Sequence, residues 1–185
     1  MLLNKAQQQL LLALAKESIT HGLKYGQTLQ INSHDYATEL QTIRATFVSL
    51  AINDQLRGCI GVLEAIRPLV VDISENAFAA AFNDPRFPPL TMMELPQLAI
   101  QLSILSATEA IQFTSEADLI SQLRPNIDGL ILQEGQYHST FLPSVWKSLP
   151  EPENFLQHLK QKAGLPSHYW SDSLQVSRYQ CQLIA

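Results

Sequence analysis

Cysteine is scarce in this chain: Cys59 and Cys181 are the only two in 185 residues, they lie far apart, and neither belongs to a C-x-x-C pair. That spacing excludes a disulfide framework and a cysteine-based zinc motif, and it makes a reducing cytoplasm the expected home. Basic runs are missing as well. With 12 Lys and Arg against 17 Asp and Glu the formal net charge is -5, and no stripe exists of the kind that follows a phosphate backbone. Nucleic acid is therefore not an expected partner. No apolar stretch approaches the roughly 18 residues that span a bilayer, so no membrane segment is expected. The run Leu10 to Ala15 has the look of a signal-peptide core, but it is short and follows Gln7-Gln8-Gln9 instead of a basic segment, and it reads as helix. His21, His34, His138, His158 and His168 show no H-E-x-x-H or comparable ligand spacing, so no metal site is predicted and no cofactor is assigned. A Walker P-loop, a dinucleotide fingerprint and a G-x-S-x-G elbow are all absent, which leaves phosphate-loop and hydrolase assignments without local support.

What is present is a globular composition, 46% hydrophobic and 16% charged, long enough for one domain with a small lobe appended. Leu3, Ala6, Leu10, Ala13 and Leu14 recur at helical spacing over residues 3 to 21, with Gly22 and Gly26 as stop signals. After Pro68, Val70, Ile73, Ala77, Ala80 and Ala81 predict a second helix as far as Phe82, its alanines allowing close approach to a sheet. Asp84-Pro85-Arg86-Phe87-Pro88-Pro89 cannot continue that helix and must be a rigid loop. Leu98, Ile100, Leu102 and Ile104 alternate as a strand, and a capped helix follows at Ser115 to Leu123. Gly129 to Gln133 and Tyr137 to Leu142 predict a hairpin around Glu134-Gly135, and Glu153 to Ala163 a helix stopped by Gly164 and Pro166. Residues 174 to 183 read as one last strand whose inward parity changes part-way, for which a β-bulge near Ser177 is the expected cause. Hairpins interspersed with helices predict an α+β fold, mainly antiparallel sheet with flanking helices.

The hairpin formed by Ala45 to Ile52 and Leu56 to Val62 tests its own register, because opposed residues must share a face. A three-residue loop, Asn53 to Gln55, would pair Ile52 with Leu56, Leu50 with Gly58 and Val48 with Ile60, placing both apolar rows on the core. The other face then carries Phe47, Ser49 and Ala51 beside Gly61, Cys59 and Arg57.

This strand, Leu56-Arg57-Gly58-Cys59-Ile60-Gly61, is the chain's oddest local sequence, since two glycines weaken a strand and need a reason, such as close approach of a ligand, a lobe or a helix. Cys59 beside Arg57 and Ser49 is a candidate nucleophile if the cation lowers the thiol pKa. The plainer reading makes it a small packed residue, since no paired base is identifiable. Gly58-Cys59-Ile60-Gly61 has the letters of a KH-type GXXG loop, but a strand in an acidic protein is the wrong setting. In the proline loop, Asp84, Arg86 and Phe87 place an acid, a guanidinium and an aromatic together. Arg86 could hold a carboxylate or phosphate, or could pair internally with Asp84 or Glu94 and pin the loop.

Taken together, Thr46-Phe47-Val48-Ser49-Leu50, Leu56-Arg57-Gly58-Cys59-Ile60-Gly61, Asp84-Pro85-Arg86-Phe87 and Phe141-Leu142-Pro143-Ser144-Val145-Trp146 resemble the AMMECR-type domain family. So does Phe155-Leu156, followed by Lys162-Ala163-Gly164-Leu165 and Trp170, and the match in order and spacing covers nearly the whole chain. The bacterial and archaeal members are called AmmeMemoRadiSam system protein A, after an association with a Memo-like protein and a radical SAM enzyme. The resemblance implies a single α+β domain of a larger and a smaller lobe, with the glycine-cysteine strand near the cleft between them, and those two proteins as partners. It supplies no reaction. Many relatives have a glycine before the Phe-Leu-Pro motif where this chain has Ser139-Thr140, which puts backbone access there in doubt. The residues together predict binding of a small anionic ligand or a partner by Arg57, Gly58, Gly61, Asp84, Arg86 and Phe87. The alternative is a thiol-dependent enzyme using Cys59.

Overall fold

The computed structural model describes residues 3–185. It has two antiparallel four-stranded sheets, each with its own apolar core, and the chain divides into two compact units. One takes in the chain up to Leu105 together with Gln182–Ala185, and the other is Ser106–Cys181.

The first unit opens with helix α1 (Lys5–Tyr25), started by a reciprocal cap in which Asn4 accepts from the Gln7 N–H while the Gln7 side chain accepts from the Asn4 N–H. Gly26, at φ +69, ends it. Gly22, expected as a stop, lies inside the helix. A Cβ there would stand 2.4 Å from the Phe82 ring, so this glycine lets helix α2 (Leu69–Phe82) cross closely instead of ending α1. Strands β1 (Thr46–Ile52), β2 (Gln55–Gly61), β3 (Ala99–Leu105) and β8 (Cys181–Ile184) form the sheet in the order β2-β1-β3-β8. Val48, Leu50 and Leu102 are fully buried in a cluster with Leu11, Ile19, Ile73 and Ala77 from the two helices. Each such Val, Leu or Ile side chain is worth roughly 1.5–3 kcal/mol.

The hairpin register holds at Phe47↔Gly61, Val48↔Ile60, Ser49↔Cys59 and Leu50↔Gly58, but the expected pairing of Ile52 with Leu56 does not occur. Asn53 and Asp54 both have positive φ, 50° and 61°, and form a two-residue turn of the type that suits strand twist. That turn pairs Ile52 with Gln55 and Ala51 with Leu56. A bulge at Arg57 absorbs the surplus residue and restores the parity that the apolar rows demand. Leu56 is consequently 48% exposed, not part of the core.

In the second unit β4 (Glu109–Ala110), β5 (Gly129–Glu134), β6 (Tyr137–Phe141) and β7 (Gln175–Tyr179) form the order β4-β7-β5-β6, with α3 (Glu116–Gln122) and α4 (Pro152–Lys162) beside them. Its core centres on Trp146, stacked on Phe155 at 3.7 Å, with the indole N–H donating to the Asp128 carbonyl at 2.7 Å. The bulge expected near Ser177 is not there: β5 pairs with β7 without a shift from Gly129↔Tyr179 to Gln133↔Gln175. The parity changes because residues 174 to 183 are two strands. Leu174, just before β7, and Val176 within it are buried on the core face while Tyr179 covers Gly129 on the other, and after Gln180 the chain joins the first sheet as β8. No described helix is long and apolar enough to cross a membrane.

Candidate functional site

Strand β2 is the outer strand of its sheet, and an outer strand leaves backbone groups without a ladder partner. At Cys59 the proline loop supplies both partners. The Cys59 N–H donates to Asp84 Oδ2 at 2.8 Å, and Arg86 Nη2 donates to the Cys59 carbonyl at 3.2 Å. Asp84 is buried and also accepts from the Arg86 backbone N–H, Nε and Nη2 at 3.1, 2.9 and 2.7 Å. Those bonds from Arg86, with the Cys59 N–H, outweigh the cost of burial and hold the Asp84 carboxyl well below the usual carboxylate range. Arg86 is thus pinned along one edge while its side chain stays 54% exposed.

Arg57 is held in the same manner by a different acid. Its Nε donates to Glu94 Oε1 at 2.6 Å and its Nη2 to Oε2 at 3.3 Å. Glu94 also accepts from the Thr91 N–H and hydroxyl at 2.8 Å each, and these partners, Arg57 foremost, bring its carboxyl down to about 2. Arg57 Nη1 is shielded from solvent and has no hydrogen-bond partner among the described residues. Both guanidinium groups lie against one ring, 5.9 Å for Arg57 and 5.5 Å for Arg86 from the Phe87 centroid. The bulge is what separates Arg57 from the regular ladder at this point.

The remaining motif residues have local explanations. A Cβ on Gly58 would stand 2.1 Å from the Ala80 carbonyl oxygen of α2, and one on Gly61 would meet the Phe47 ring and the Thr46 carbonyl at 2.3–2.4 Å. Of the close approaches that two strand glycines admit, helix packing accounts for Gly58 and ring packing for Gly61. Cys59 is half-buried, and its thiol lies 3.1 Å from the Ser49 hydroxyl, as the register requires. Among the described residues no imidazole, carboxylate or amine hydrogen-bonds to that sulfur.

The structure therefore brings Arg57, Cys59, Asp84, Arg86 and Phe87 together and adds Glu94 as the partner of Arg57, not of Arg86. The Thr91-x-x-Glu94 spacing, a capping-box pattern, is the local signal that Glu94 is anchored.

The AMMECR1 family model matches residues 12–184. The chain belongs to the AMMECR1 family. It is 36% identical over 135 residues to a protein of Methanocaldococcus jannaschii, covering 70% of this chain and 65% of that protein, and so spans just under two thirds of that relative's length. A protein of Methanothermobacter thermautotrophicus is 33% identical over 187 residues, covering 98% and 95% of the two chains. The crystal structure of the uncharacterized protein PH0010 from Pyrococcus horikoshii is similar with a TM-score of 0.89 at 30% identity, covering 98% of this chain and 92% of that one. In this AMMECR1 protein Ser139 and Thr140 are not free backbone. The Ser139 hydroxyl donates to the Leu159 carbonyl and the Thr140 hydroxyl to the Leu130 carbonyl, both at 2.7 Å, which ties β6 to α4 and to β5.

Proposed function

We propose that this AMMECR1-family protein binds a small anionic ligand, a carboxylate or phosphate, through the unoccupied edges of Arg57 and Arg86 beside Phe87. The observation that carries this reading is the buried Nη1 of Arg57, a charged donor without a partner beside a second, half-exposed guanidinium. Glu94 and Asp84 each engage the Nε and Nη2 of one arginine, so the carboxylates orient the guanidinium groups and leave the Nη1 edges for a ligand. Two arginines against two acids leave the cluster neutral, so recognition rests on hydrogen-bond geometry more than on net attraction and should depend weakly on salt. In this reading Cys59 contributes a sulfur contact and not a nucleophile, because its thiol lacks a base.

A thermal-shift titration with inorganic phosphate, succinate and citrate tests it. At least one anion should raise the melting temperature of the wild type, and Arg57→Lys, which keeps the charge and loses the fork, should lose that rise. No response from any of the three, or an unchanged response in Arg57→Lys, would overturn the reading. A second reading is favoured by Met92 and Met93, 55% and 85% exposed next to Glu94: the proline loop docks a Memo-like or radical SAM partner, as the family's naming implies. Co-purification with such a partner should then survive Cys59→Ala and fail on Met93→Glu.

A further inference from the structure

The second unit holds a cavity of about 570 Å³ whose walls include Glu134, Tyr137, Gly164, Leu165, Pro166 and Tyr169. Glu134 is an odd member of such a wall. The buried Asp72, Asp84 and Asp128, and the half-buried Glu94, are each matched by an arginine, Arg67, Arg86, Arg124 and Arg57 respectively. Glu134, also half-buried, has no cation within salt-bridge reach among the described residues. Its Oε1 accepts from two neutral hydroxyls, Tyr169 at 3.1 Å and Ser173 at 2.6 Å. Its Oε2 is shielded from solvent and accepts from nothing. Hydrogen bonds from Ser173, with Ser171 and Tyr169 after it, outweigh the cost of burial and lower the carboxyl below its ordinary value, so the group is ionised at neutral pH.

A half-buried carboxylate with spare acceptor capacity and no counterion calls for a cation, and the walls decide which kind. A divalent metal needs several oxygen ligands, and the lining supplies a single carboxylate, Glu134, and one amide, Gln136, among rings, glycines and aliphatic carbon. Two tyrosines with Leu165 and Pro166 instead suit a weakly hydrated organic cation, whose charge faces the carboxylate and the ring faces while its carbons meet apolar surface. Gly135 and Gly164 adopt φ +55° and +88°, and a Cβ built on Gly164 would stand 3.6 Å from the Tyr137 ring, which places that ring over the glycine turn. The volume falls within the range of small-ligand sites, roughly 300–1,000 Å³.

We propose that this cavity takes an alkylammonium group, its charge set against Glu134 and its carbons against Tyr137, Tyr169, Leu165 and Pro166. The site is independent of the Arg57–Arg86 cluster and has the opposite charge preference.

The test titrates the whole chain with n-butylammonium chloride, with n-butanol as the uncharged match, and with a short peptide carrying one free lysine, following amide chemical shifts. The ammonium should move the Gly135 and Gly164 amides, n-butanol should not, and Glu134→Gln should weaken binding by about tenfold or more. Because Glu134→Gln also loosens Tyr169 and Ser173, the exposed Tyr137 provides the second variant. Tyr137→Leu keeps apolar bulk, removes the ring face, and should weaken binding without disturbing the fold. A response to the lysine peptide alone assigns the cation to a partner's side chain, and a response to n-butylammonium as well assigns it to a free amine; both support the proposal. No shift with either cation, equal binding of n-butanol, or wild-type affinity in both variants would overturn it.

Discussion

Gly58→Ala is the sharpest perturbation of the glycine-cysteine strand, because it separates a glycine kept for packing from one kept for ligand access. The added Cβ would stand 2.1 Å from the Ala80 carbonyl oxygen and 3.1 Å from its carbon, with Leu50 Cδ1 at 3.7 Å. Ordinary contact begins near about 3.5 Å, so strand and helix must part by more than about 1 Å. Helix α2 is not free to yield. Its Asp72 accepts from the Thr46 hydroxyl at 2.6 Å, its Asn76 donates to the Thr46 carbonyl at 3.1 Å, and Phe78 and Phe82 close over Gly22. Overpacking of this kind costs about 1–3 kcal/mol, and the fixed helix puts the cost at the upper end. With a urea dependence of about 1–3 kcal/mol per molar, the midpoint should fall by about 1 M. Ala80→Gly should give no rescue, since the obstacle is a main-chain oxygen. Both tryptophans, Trp146 and Trp170, lie in the second unit, so their fluorescence would follow the wrong core. Hydrogen exchange at β1 amides is the suitable probe. A Gly58→Ala protein whose β1 amides open at the wild-type urea concentration would refute the packing argument and return Gly58 to the ligand-access reading.

Arg86→Ala should destabilise the first unit by about 1–3 kcal/mol in urea melts, less than a fully buried pair would, because Asp84 keeps two N–H donors and Arg86 is half exposed. Glu94→Gln should lower stability at pH 6 and not at pH 2. A carboxyl depressed from 4.5 to about 2 contributes stability above its unfolded pKa and loses it as pH falls through the folded one, so the gap between wild type and variant should close over that window in acid melts. Burial pushes the Cys181 thiol up to about 12, so native protein at pH 8 should take up thiol reagent at Cys59 alone, and Cys59→Ala should stay unlabelled until denatured, as mass spectrometry would show. Asp54→Gly should raise stability by about 0.4–1 kcal/mol, since the second turn residue holds φ 61° with a Cβ; a loss in thermal melts would contradict the turn assignment.

The parts of the fold legible in the sequence were those whose signal is local. The alternation of Val48 and Leu50 against Gly58 and Ile60 placed Ser49 beside Cys59 because parity leaves no other choice when one face is buried. Caps and breakers worked for the same reason at Asp84 to Pro89, Ser115 and Gly164. What failed depended on partners far along the chain. Gly22 looks like a stop until Phe78 and Phe82 are seen filling its missing side chain, and the parity change after Leu174 looks like a bulge until its two halves are seen in different sheets. The turn at Asn53-Asp54 is one residue shorter than alternation predicts because two register solutions, a longer loop or a tight turn with a bulge, satisfy the same apolar rows, and only backbone geometry chooses between them.

That choice matters for the site more than for the fold. The bulge takes Arg57 out of the regular ladder, and its partner proves to be Glu94, 37 positions away, with Thr91 steadying the acid. Of the internal partners the loop offers, Arg86 takes Asp84 and not Glu94, and its side chain stays 54% exposed. With Gly58 and Gly61 occupied by packing and the Cys59 backbone capped by the loop, the strand offers the Arg57 guanidinium, with that of Arg86 from the loop beside the same ring. Among the described residues, Arg57 Nη1 in the first unit and Glu134 Oε2 in the second are solvent-shielded atoms of charged groups that have no hydrogen-bond partner. Ligands of opposite charge would complete them, so each can be lost without the other, and the Arg57 and Glu134 variants should act independently on their respective probes.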